Sequence, residues 1–109
     1  MDGIEQIAFE MISNTGEARS LLMKVIDDAD KGNFDNCEAD FKQANECLKT
    51  AQNVHLKVIS SEADQKKLPF SILLVHAEDQ MMAAELIRDL AQYIVNLNKK
   101  LVGLEDKTK

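Results

Sequence analysis

The sequence contains few of the residues that interrupt helices or crosslink a chain. Its 109 residues include one Pro, four Gly, two Cys, one Tyr and no Trp. This scarcity, beside abundant Ala, Leu, Glu and Lys, indicates an all-α protein. Cys37 and Cys47 form no CxxC motif, which argues against a zinc or redox site and is typical of free thiols in a reducing compartment.

Charge and hydropathy restrict the location and partners of the protein. With 13 basic and 19 acidic residues the net charge is −6, and no cluster of Lys and Arg indicates nucleic-acid binding. No apolar run reaches the roughly 18 residues of a transmembrane span. The N-terminal segment lacks the basic and apolar regions of a signal peptide, so we expect a cytoplasmic protein. The length predicts one domain, residues 1–109.

The first part of the chain predicts two amphipathic helices, because its apolar residues recur at three-and-four spacing. The helices span about residues 3–30 and 34–61. Between them, Gly32 supplies a positive φ after the first helix, and Asn33 is expected to cap the second.

Gly16 and His55 each allow two interpretations. Gly16 interrupts the first helix either as a tolerated weak helix former or kink, which we favour, or as a point where another backbone or a ligand approaches closely. His55 lies on the apolar seam of the second helix. A structural histidine with satisfied nitrogens is favoured there over a functional one.

A third helix is predicted over about residues 69–102, with Pro69 at its first position and a fraying tail after Leu101. The polar residues 61–68 predict the loop before it. At about 100° per residue, most polar side chains of this helix form one narrow strip: Ser71, Glu78, Glu85, Asp89, Gln92, Asn96 and Lys99. Most of the remaining circumference is apolar and must be covered, so we expect this helix to be central.

Three long helices joined by short loops predict an up-down-up three-helix bundle. The third helix has more apolar surface than one intramolecular seam can bury. The surplus favours self-association, with one side of the helix buried in its own subunit and another against copies of the same chain. The alternative is that the first two helices cover the third completely.

His76 is the principal candidate functional residue, because it lies opposite the polar strip, within the apolar surface. Asp79 follows at i+3 and is its neighbour on the helix. One interpretation is a buried histidine bonded to Asp79 or to a backbone carbonyl. A second is a pair of metal ligands, although zinc requires three or four. The third is a nucleophile, since apolar surroundings keep an imidazole neutral near pH 7 and leave a lone pair to attack phosphorus.

The sequence carries no Gly-rich phosphate loop, nucleophile elbow or HExxH motif beside His76. A nucleophile without a base, an oxyanion hole or a substrate pocket is poorly equipped for hydrolysis. It is sufficient for carrying a phosphoryl group between protein partners that bring their own machinery.

The segment SILLVHAEDQMM, residues 71–82, is similar to the signature SLLLVHAQDHLM of a known family. That family comprises the lactose/cellobiose (N,N′-diacetylchitobiose) IIA components of the bacterial phosphoenolpyruvate-dependent sugar phosphotransferase system. The resemblance covers nearly the whole chain. Its other matches are Gly16–Ser20, Gly32–Phe34, Ala44, Asn45, Leu56, Ile59, Glu62 and Ala63.

The resemblance implies a homotrimer of three-helix subunits, a nine-helix bundle that would account for the surplus apolar surface. It implies that His76 accepts a phosphoryl group from the phosphocarrier HPr and passes it to a cysteine of the IIB component. The process is the uptake of a β-linked disaccharide such as lactose, cellobiose or diacetylchitobiose. The membrane IIC partner selects the sugar, so the present sequence does not identify it.

The resemblance also implies a metal ion. Asp79 matches the aspartate whose three copies meet around a divalent cation at the trimer axis. Three facing carboxylates must be protonated or neutralised by a cation, and hard oxygen ligands suit Mg²⁺.

Four positions depart from the family pattern. Glu78 and His55 stand where the family usually has Gln, and Gln80 and Gln52 stand where it usually has His. Gln80 lies beside His76 on the helical wheel, and its amide can still hydrogen-bond a phosphoryl oxygen. Because position 52 is not His, His76 is the one candidate for phosphorylation.

Two other functions stay open from the sequence. A histidine phosphotransfer domain of two-component signalling is also helical. It usually has Lys three residues after its His, where this chain has Asp79, which counts against it. A non-catalytic helical adaptor would bind partners through an apolar face, with His76 merely buried.

Overall fold

The structure, a computed structural model, describes residues 3–63 and 70–108, and these form three helices. They are α1 Gly3–Asp30, α2 Cys37–Ala63 and α3 Ile72–Thr108. The helices run up, down and up in an elongated bundle of 64 × 22 × 20 Å. The prediction of three helices is confirmed, and the described residues contain no strand. In this part of the chain, no helix combines the length and hydrophobicity needed to cross a membrane.

α1 ends where the sequence predicted, because Gly32 adopts a φ of 76° that other residues avoid. The N–H of Gly32 donates to the carbonyl of Ala29 at 3.0 Å, and the N–H of Asn33 donates to that of Asp28 at 2.9 Å. These two bonds form a Schellman motif, which satisfies carbonyl groups that the helix end leaves without partners.

α2 begins three residues later than predicted. The Asn33 side chain accepts a bond from the N–H of Asp35 at 3.2 Å, so it caps a local turn instead of the helix. The N–H of Cys37 donates to the carbonyl of Phe34 at 3.2 Å, which closes a further turn. Helical bonding starts with the N–H of Asp40 and the carbonyl of Asn36, 2.9 Å apart.

Both predicted ends of α3 are wrong. Ser71 caps the helix: its Oγ accepts from the N–H of Leu74 at 3.2 Å and its carbonyl from the N–H of Val75 at 3.1 Å. Pro69 lies outside the described residues. At the other end α3 continues to Thr108, because no Pro follows Leu101 to stop the helix and a single Gly is tolerated.

The predicted loop 61–68 begins later than expected, because α2 extends to Ala63. The rest of that loop, residues 64–68, lies outside the described residues.

α1 is the central helix of the subunit. It packs along both α2 and α3, whereas α2 and α3 touch over a much shorter length. The core consists of three clusters stacked along the bundle, each with residues of all three helices. The fully buried side chains of these clusters include Met11, Leu22 and Val25 of α1 and Leu48 of α2. Within the single subunit the central helix is therefore α1, and a central position of α3 in an oligomer stays a prediction.

α3 carries two apolar stripes on opposite sides. The inner stripe packs on the bundle and consists of Leu74, Ala77, Met81, Ala84, Ala91 and Val95. The outer stripe is 49–75% exposed and consists of Ile72, Val75, Met82, Leu86, Leu90, Tyr93, Leu97, Leu101 and Leu104. The first two helices therefore do not cover the third, and the surplus apolar surface predicted from the sequence lies open on one face.

Gly16 does not mark a close approach within the subunit. α1 continues through it, its surface is exposed, and a Cβ added there would meet no atom within 4 Å. The favoured interpretation, a tolerated weak helix former, fits this surrounding.

Candidate functional site

His76 stands on the surface of α3, in the second turn after the Ser71 cap. Its side chain is exposed, and it has no hydrogen-bond partner among the described residues. The interpretation of a buried histidine held by Asp79 or by a carbonyl is therefore wrong for the single subunit. An exposed imidazole retains its full capacity to meet a reacting group on another protein.

Asp79 interrupts the outer stripe with a carboxylate. The stripe residues Val75 and Met82 flank it at i−4 and i+3, so Asp79 occupies a position that an apolar residue would fill to continue the spacing. Its side chain is exposed in the subunit. His76 and Asp79 share this region of the helix, as their i, i+3 spacing predicts.

One flank of the outer stripe carries His76 and Gln80, which lie about 40° apart around the helix at about 100° per residue. The side-chain oxygen of Gln80 accepts a bond of 3.4 Å from Nη1 of Arg19 on α1. The structure thus brings the guanidinium of Arg19, which precedes Gln80 by 61 residues, to the surface that carries Gln80 and His76. The sequence placed Gln80 beside His76. It included Arg19 only in the matched segment Gly16–Ser20 and did not place it near Gln80, because that contact depends on the register between α1 and α3.

The opposite flank of α3 faces α2 and carries two polar contacts. Glu78 Oε2 is 2.7 Å from His55 Nε2, and Glu85 Oε2 accepts a bond of 2.6 Å from Gln52 Nε2. The His55 side chain is only 15% exposed. These contacts support the interpretation of His55 as a structural histidine.

The two cysteines are unsuited to act as nucleophiles. Both are free and buried, and burial is the main cause that raises the pKa of each thiol. Nearby carboxylates, Asp28 for Cys37 and Glu17 for Cys47, act in the same direction. A raised pKa disfavours the reactive thiolate near neutral pH.

A single subunit holds no complete metal site in the part of the chain that the structure describes. No three His, Cys, Asp or Glu side chains lie together there in a way that could hold an ion. Asp79 offers one carboxylate, and a divalent cation of the Mg²⁺ type needs several oxygen ligands. Asp79 therefore fits a cation only where copies of the chain bring their Asp79 side chains together.

Several surface grooves of the bundle lie away from the imidazole. One of about 250 Å³ is lined by Phe41, Asn45, Arg88, Asp89 and Gln92, between α2 and the middle of α3. His76 instead stands on an open helix face, which suits contact with a protein surface better than enclosure of a small substrate.

Comparison with known proteins places this arrangement in a family. Residues 6–99 match the family model described as the lactose/cellobiose-specific IIA subunit of the phosphotransferase system. The lactose-specific EIIA component of Staphylococcus epidermidis is 30% identical over 99 residues, which cover 91% of this chain and 95% of that protein.

Two solved structures share the fold. The cellobiose-specific enzyme IIA of Bacillus anthracis is 35% identical, with a TM-score of 0.89 over 94% of both chains. A structure of the IIA(Chitobiose)–HPr complex of Escherichia coli is 32% identical, with a TM-score of 0.77 over 93% of this chain and 98% of that one. Because the family model spans His76, Asp79 and most of all three helices, the chain belongs to the lactose/cellobiose-specific IIA family of the sugar phosphotransferase system.

Proposed function

We propose that the chain is a phosphocarrier that accepts a phosphoryl group from phospho-HPr on His76 and passes it to a cysteine of a IIB component. The observation that carries this proposal is the exposed imidazole of His76, free of partners among the described residues, inside the segment that the family model spans. The solved complex of a relative with HPr supports HPr as the donor.

The transfer needs little from the chain besides an accessible imidazole. A ring nitrogen of His76 attacks phosphorus while the bond from phosphorus to the donor on HPr breaks, and the next transfer breaks the new P–N bond as the IIB thiolate attacks. Neither step consumes water, so the chain needs no general base for hydrolysis. The open helix face lets each partner surround the phosphoryl group with its own side chains.

The sugar in this proposal is a β-linked disaccharide. The relatives compared above are named for lactose, cellobiose and chitobiose, which have this linkage in common. They do not single out one of the three for this chain.

The same proposal includes a homotrimer in which three outer stripes pack together. Nine large apolar side chains on one helix face are exposed in the single subunit, and their three-and-four spacing is that of a coiled-coil seam. Complete burial of a large apolar side chain contributes about 1.5–3 kcal/mol. Because these side chains are 49–75% exposed in the subunit, the interface would gain only the corresponding part of that amount from each. An exposed apolar area of this extent is typical of an interface.

A divalent cation completes the proposed assembly. Three copies of Asp79 on a common axis would face one another inside the packed outer stripes, where unbalanced carboxylates are costly. A cation, with Mg²⁺ the best match to carboxylate oxygens, would neutralise them. Its proposed part is structural, and the transfer at His76 does not pass through it.

The experiment is intact-mass analysis after incubation with phosphoenolpyruvate, enzyme I and HPr. The chain has two histidines, so His76→Ala and His55→Gln form a matched pair. We expect an acid-labile phosphoryl adduct on the wild type and on His55→Gln, and none on a folded His76→Ala.

An adduct on His76→Ala would overturn the assignment of the residue. If active upstream proteins left the wild type unmodified, the proposal would fail. The non-catalytic adaptor, which would use the outer stripe only for binding, would then be the better account.

A further inference from the structure

The contact between Arg19 and Gln80 lies next to His76 on the surface, and the bundle core does not require it. Arg19 is exposed, Gln80 is half-buried, and the bond from Nη1 to Oε1 measures 3.4 Å. A bond of this length between accessible side chains contributes little to folding. Its position beside the candidate phosphoryl acceptor therefore needs another explanation.

The partner chemistry fixes which way the Gln80 amide points. A guanidinium has N–H donors and no acceptor, so the oxygen of the amide must face Arg19. The NH₂ group of Gln80 is then turned away from Arg19. Without Arg19, the two ends of the amide would be free to exchange places.

The helix directs the Gln80 side chain towards His76. Side chains of an α-helix lean towards its N-terminus and cover the turn before their own Cα. Gln80 follows His76 at i+4, so its side chain leans over the turn that carries the imidazole. A phosphoryl group on His76 would extend into the same space.

The charges around His76 explain why a donor is needed there. A phosphoryl group adds roughly 1.5–2 negative charges and oxygens that only accept hydrogen bonds. Asp79, at i+3, offers only acceptor oxygens, so it supplies no donor to the phosphoryl group. The NH₂ of Gln80 is a neutral donor on the same side of the helix, and behind it stands the positive charge of Arg19.

We propose that Gln80 donates a hydrogen bond to the phosphoryl group on His76, and that Arg19 is a positioning residue that holds the Gln80 amide in the donating orientation. This inference rests on the proposed phosphocarrier function and adds to it two residues with separate parts. Gln80 touches the transferred group, and Arg19 acts through Gln80. The bond lowers the free energy of the phosphorylated chain relative to the free one.

Gln80→Glu separates the two parts of the proposal. A carboxylate at position 80 still accepts a bond from Arg19, so the contact between α1 and α3 is kept. It has no donor for a phosphoryl oxygen and adds a repelling charge. A purely structural contact would leave phosphorylation unchanged in the neutral variant Gln80→Met, which has no N–H donor and adds no charge, whereas the proposal predicts that the phosphorylated state is disfavoured in both variants.

The measurements are the equilibrium between phospho-HPr and the phosphorylated chain, and the lifetime of the adduct on the isolated chain near neutral pH. For Gln80→Glu we expect the equilibrium to shift against the adduct by roughly tenfold, the effect of one lost charge-assisted bond. The thermal transition of the free chain should stay close to that of the wild type, because exposed ion pairs contribute little.

Arg19→Gln and Arg19→Lys test the positioning residue. Arg19→Gln should shift the same equilibrium by a few-fold, and Arg19→Lys, which also offers only donors to the amide oxygen, should restore most of it. Lys24→Gln is the matched control, because it also removes one positive charge from α1. The bonds of Lys24 go to Asp28 and Asp40, away from Gln80, so it should behave as the wild type.

The results of these experiments distinguish a failure of this inference from a failure of the proposed function. A wild type that is never phosphorylated would remove the proposed function and this inference together. A wild type that is phosphorylated, with Gln80→Glu at the same equilibrium and lifetime, would overturn the inference and leave the phosphocarrier standing. Equal losses in Arg19→Gln and Lys24→Gln would show a general charge effect and overturn the part given to Arg19.

Discussion

His55 on α2 and Glu78 on α3 form a contact of 2.7 Å between Nε2 and Oε2, on the flank of α3 that faces away from His76. Each residue stands where the family usually has Gln. The two positions that depart from the family pattern therefore meet in one contact between α2 and α3. Two Gln side chains at these positions could make the same contact, because a pair of amides, like the His–Glu pair, can supply one donor and one acceptor.

The contact between His55 and Glu78 predicts a measurable coupling. In a double-mutant cycle of His55→Ala and Glu78→Ala, we expect a coupling free energy of about 1 kcal/mol, because the pair is only partly exposed. Urea denaturation at one fixed protein concentration gives each free energy of unfolding. Combining His55→Gln with Glu78→Gln should keep most of the wild-type stability, since two amides can restore the bond.

The matched control for this cycle combines His55→Ala with Glu85→Ala. Glu85 pairs with Gln52 and not with His55, so the two effects should add to within about 0.5 kcal/mol. Coupling as large in the control as in the test pair would mean that the contact with Glu78 is not the source.

The helix ends show most clearly which parts of the fold could be predicted from the sequence. The C-terminus of α1 was predicted, because Gly32 determines it through a backbone conformation that other residues avoid. The start of α3 was missed because Pro69 and Ser71 are both good starting residues, and only the bonded Ser71 side chain distinguishes them. The end of α3 was missed because polarity alone does not stop a helix.

In the candidate site, contacts within one helix could be predicted from the sequence, whereas contacts between helices could not. Asp79 and Gln80 follow His76 at i+3 and i+4 on one helix, so helical geometry alone predicts that each is a neighbour of His76. Arg19 and His55 reach the same helix from α1 and α2. Their contacts depend on the rotation and register of separate helices, which no spacing within one segment encodes.

Thr15 is a buried polar side chain whose removal should stabilise the protein. Its side chain is 1% exposed, on the buried face of α1, and its Oγ1 has no hydrogen-bond partner among the described residues. Thr15→Val replaces that hydroxyl by a methyl group of similar size. We expect the free energy of unfolding to rise by about 1 kcal/mol, because an unpaired buried hydroxyl is costly.

Thr15→Ser is the control for this substitution. It keeps the hydroxyl and removes the methyl group, so it should lower stability by about 1 kcal/mol. If Thr15→Val instead destabilised the folded protein, the hydroxyl would be making a hydrogen bond in the folded state and the premise of this prediction would be wrong.

The carboxylate of Asp79 predicts an unusual response to a hydrophobic substitution. Asp79→Leu completes the outer stripe, so the proposed trimer should persist, melt at a higher temperature and become insensitive to EDTA. Leu86→Asp, one heptad away on the same stripe, should do the reverse and yield monomers. Native mass spectrometry and thermal scans with and without EDTA measure both. The opposite outcome has two parts: Asp79→Leu would be monomeric, and EDTA would dissociate the wild-type trimer. Together these results would show that the cation is obligatory for assembly.

The buried thiols predict a loss of stability in alkaline solution. Burial raises the pKa of Cys37 and of Cys47 above that of a free thiol, which is about 8.5. Below that value both folded and unfolded chains keep the protons, so the thiols give no pH dependence. Above it the unfolded chain loses protons that the folded chain retains, and stability falls as pH rises towards the folded pKa values. The limiting slope is about 1.4 kcal/mol per pH unit for each thiol.

Urea denaturation between pH 8 and pH 9 measures this slope more than one unit below about 10.4, where lysines of the unfolded chain titrate. This limit matters because the pKa values of Lys24 and Lys31 are also raised in the folded chain. Cys37→Ala combined with Cys47→Ala should be less stable at neutral pH, because each substitution leaves a small cavity. Its stability should nevertheless decline less with rising pH than that of the wild type. If the free energy of unfolding declined equally with pH in both proteins, groups other than the thiols would cause the alkaline effect. The comparison is valid because the stability lost through the two cavities does not change with pH.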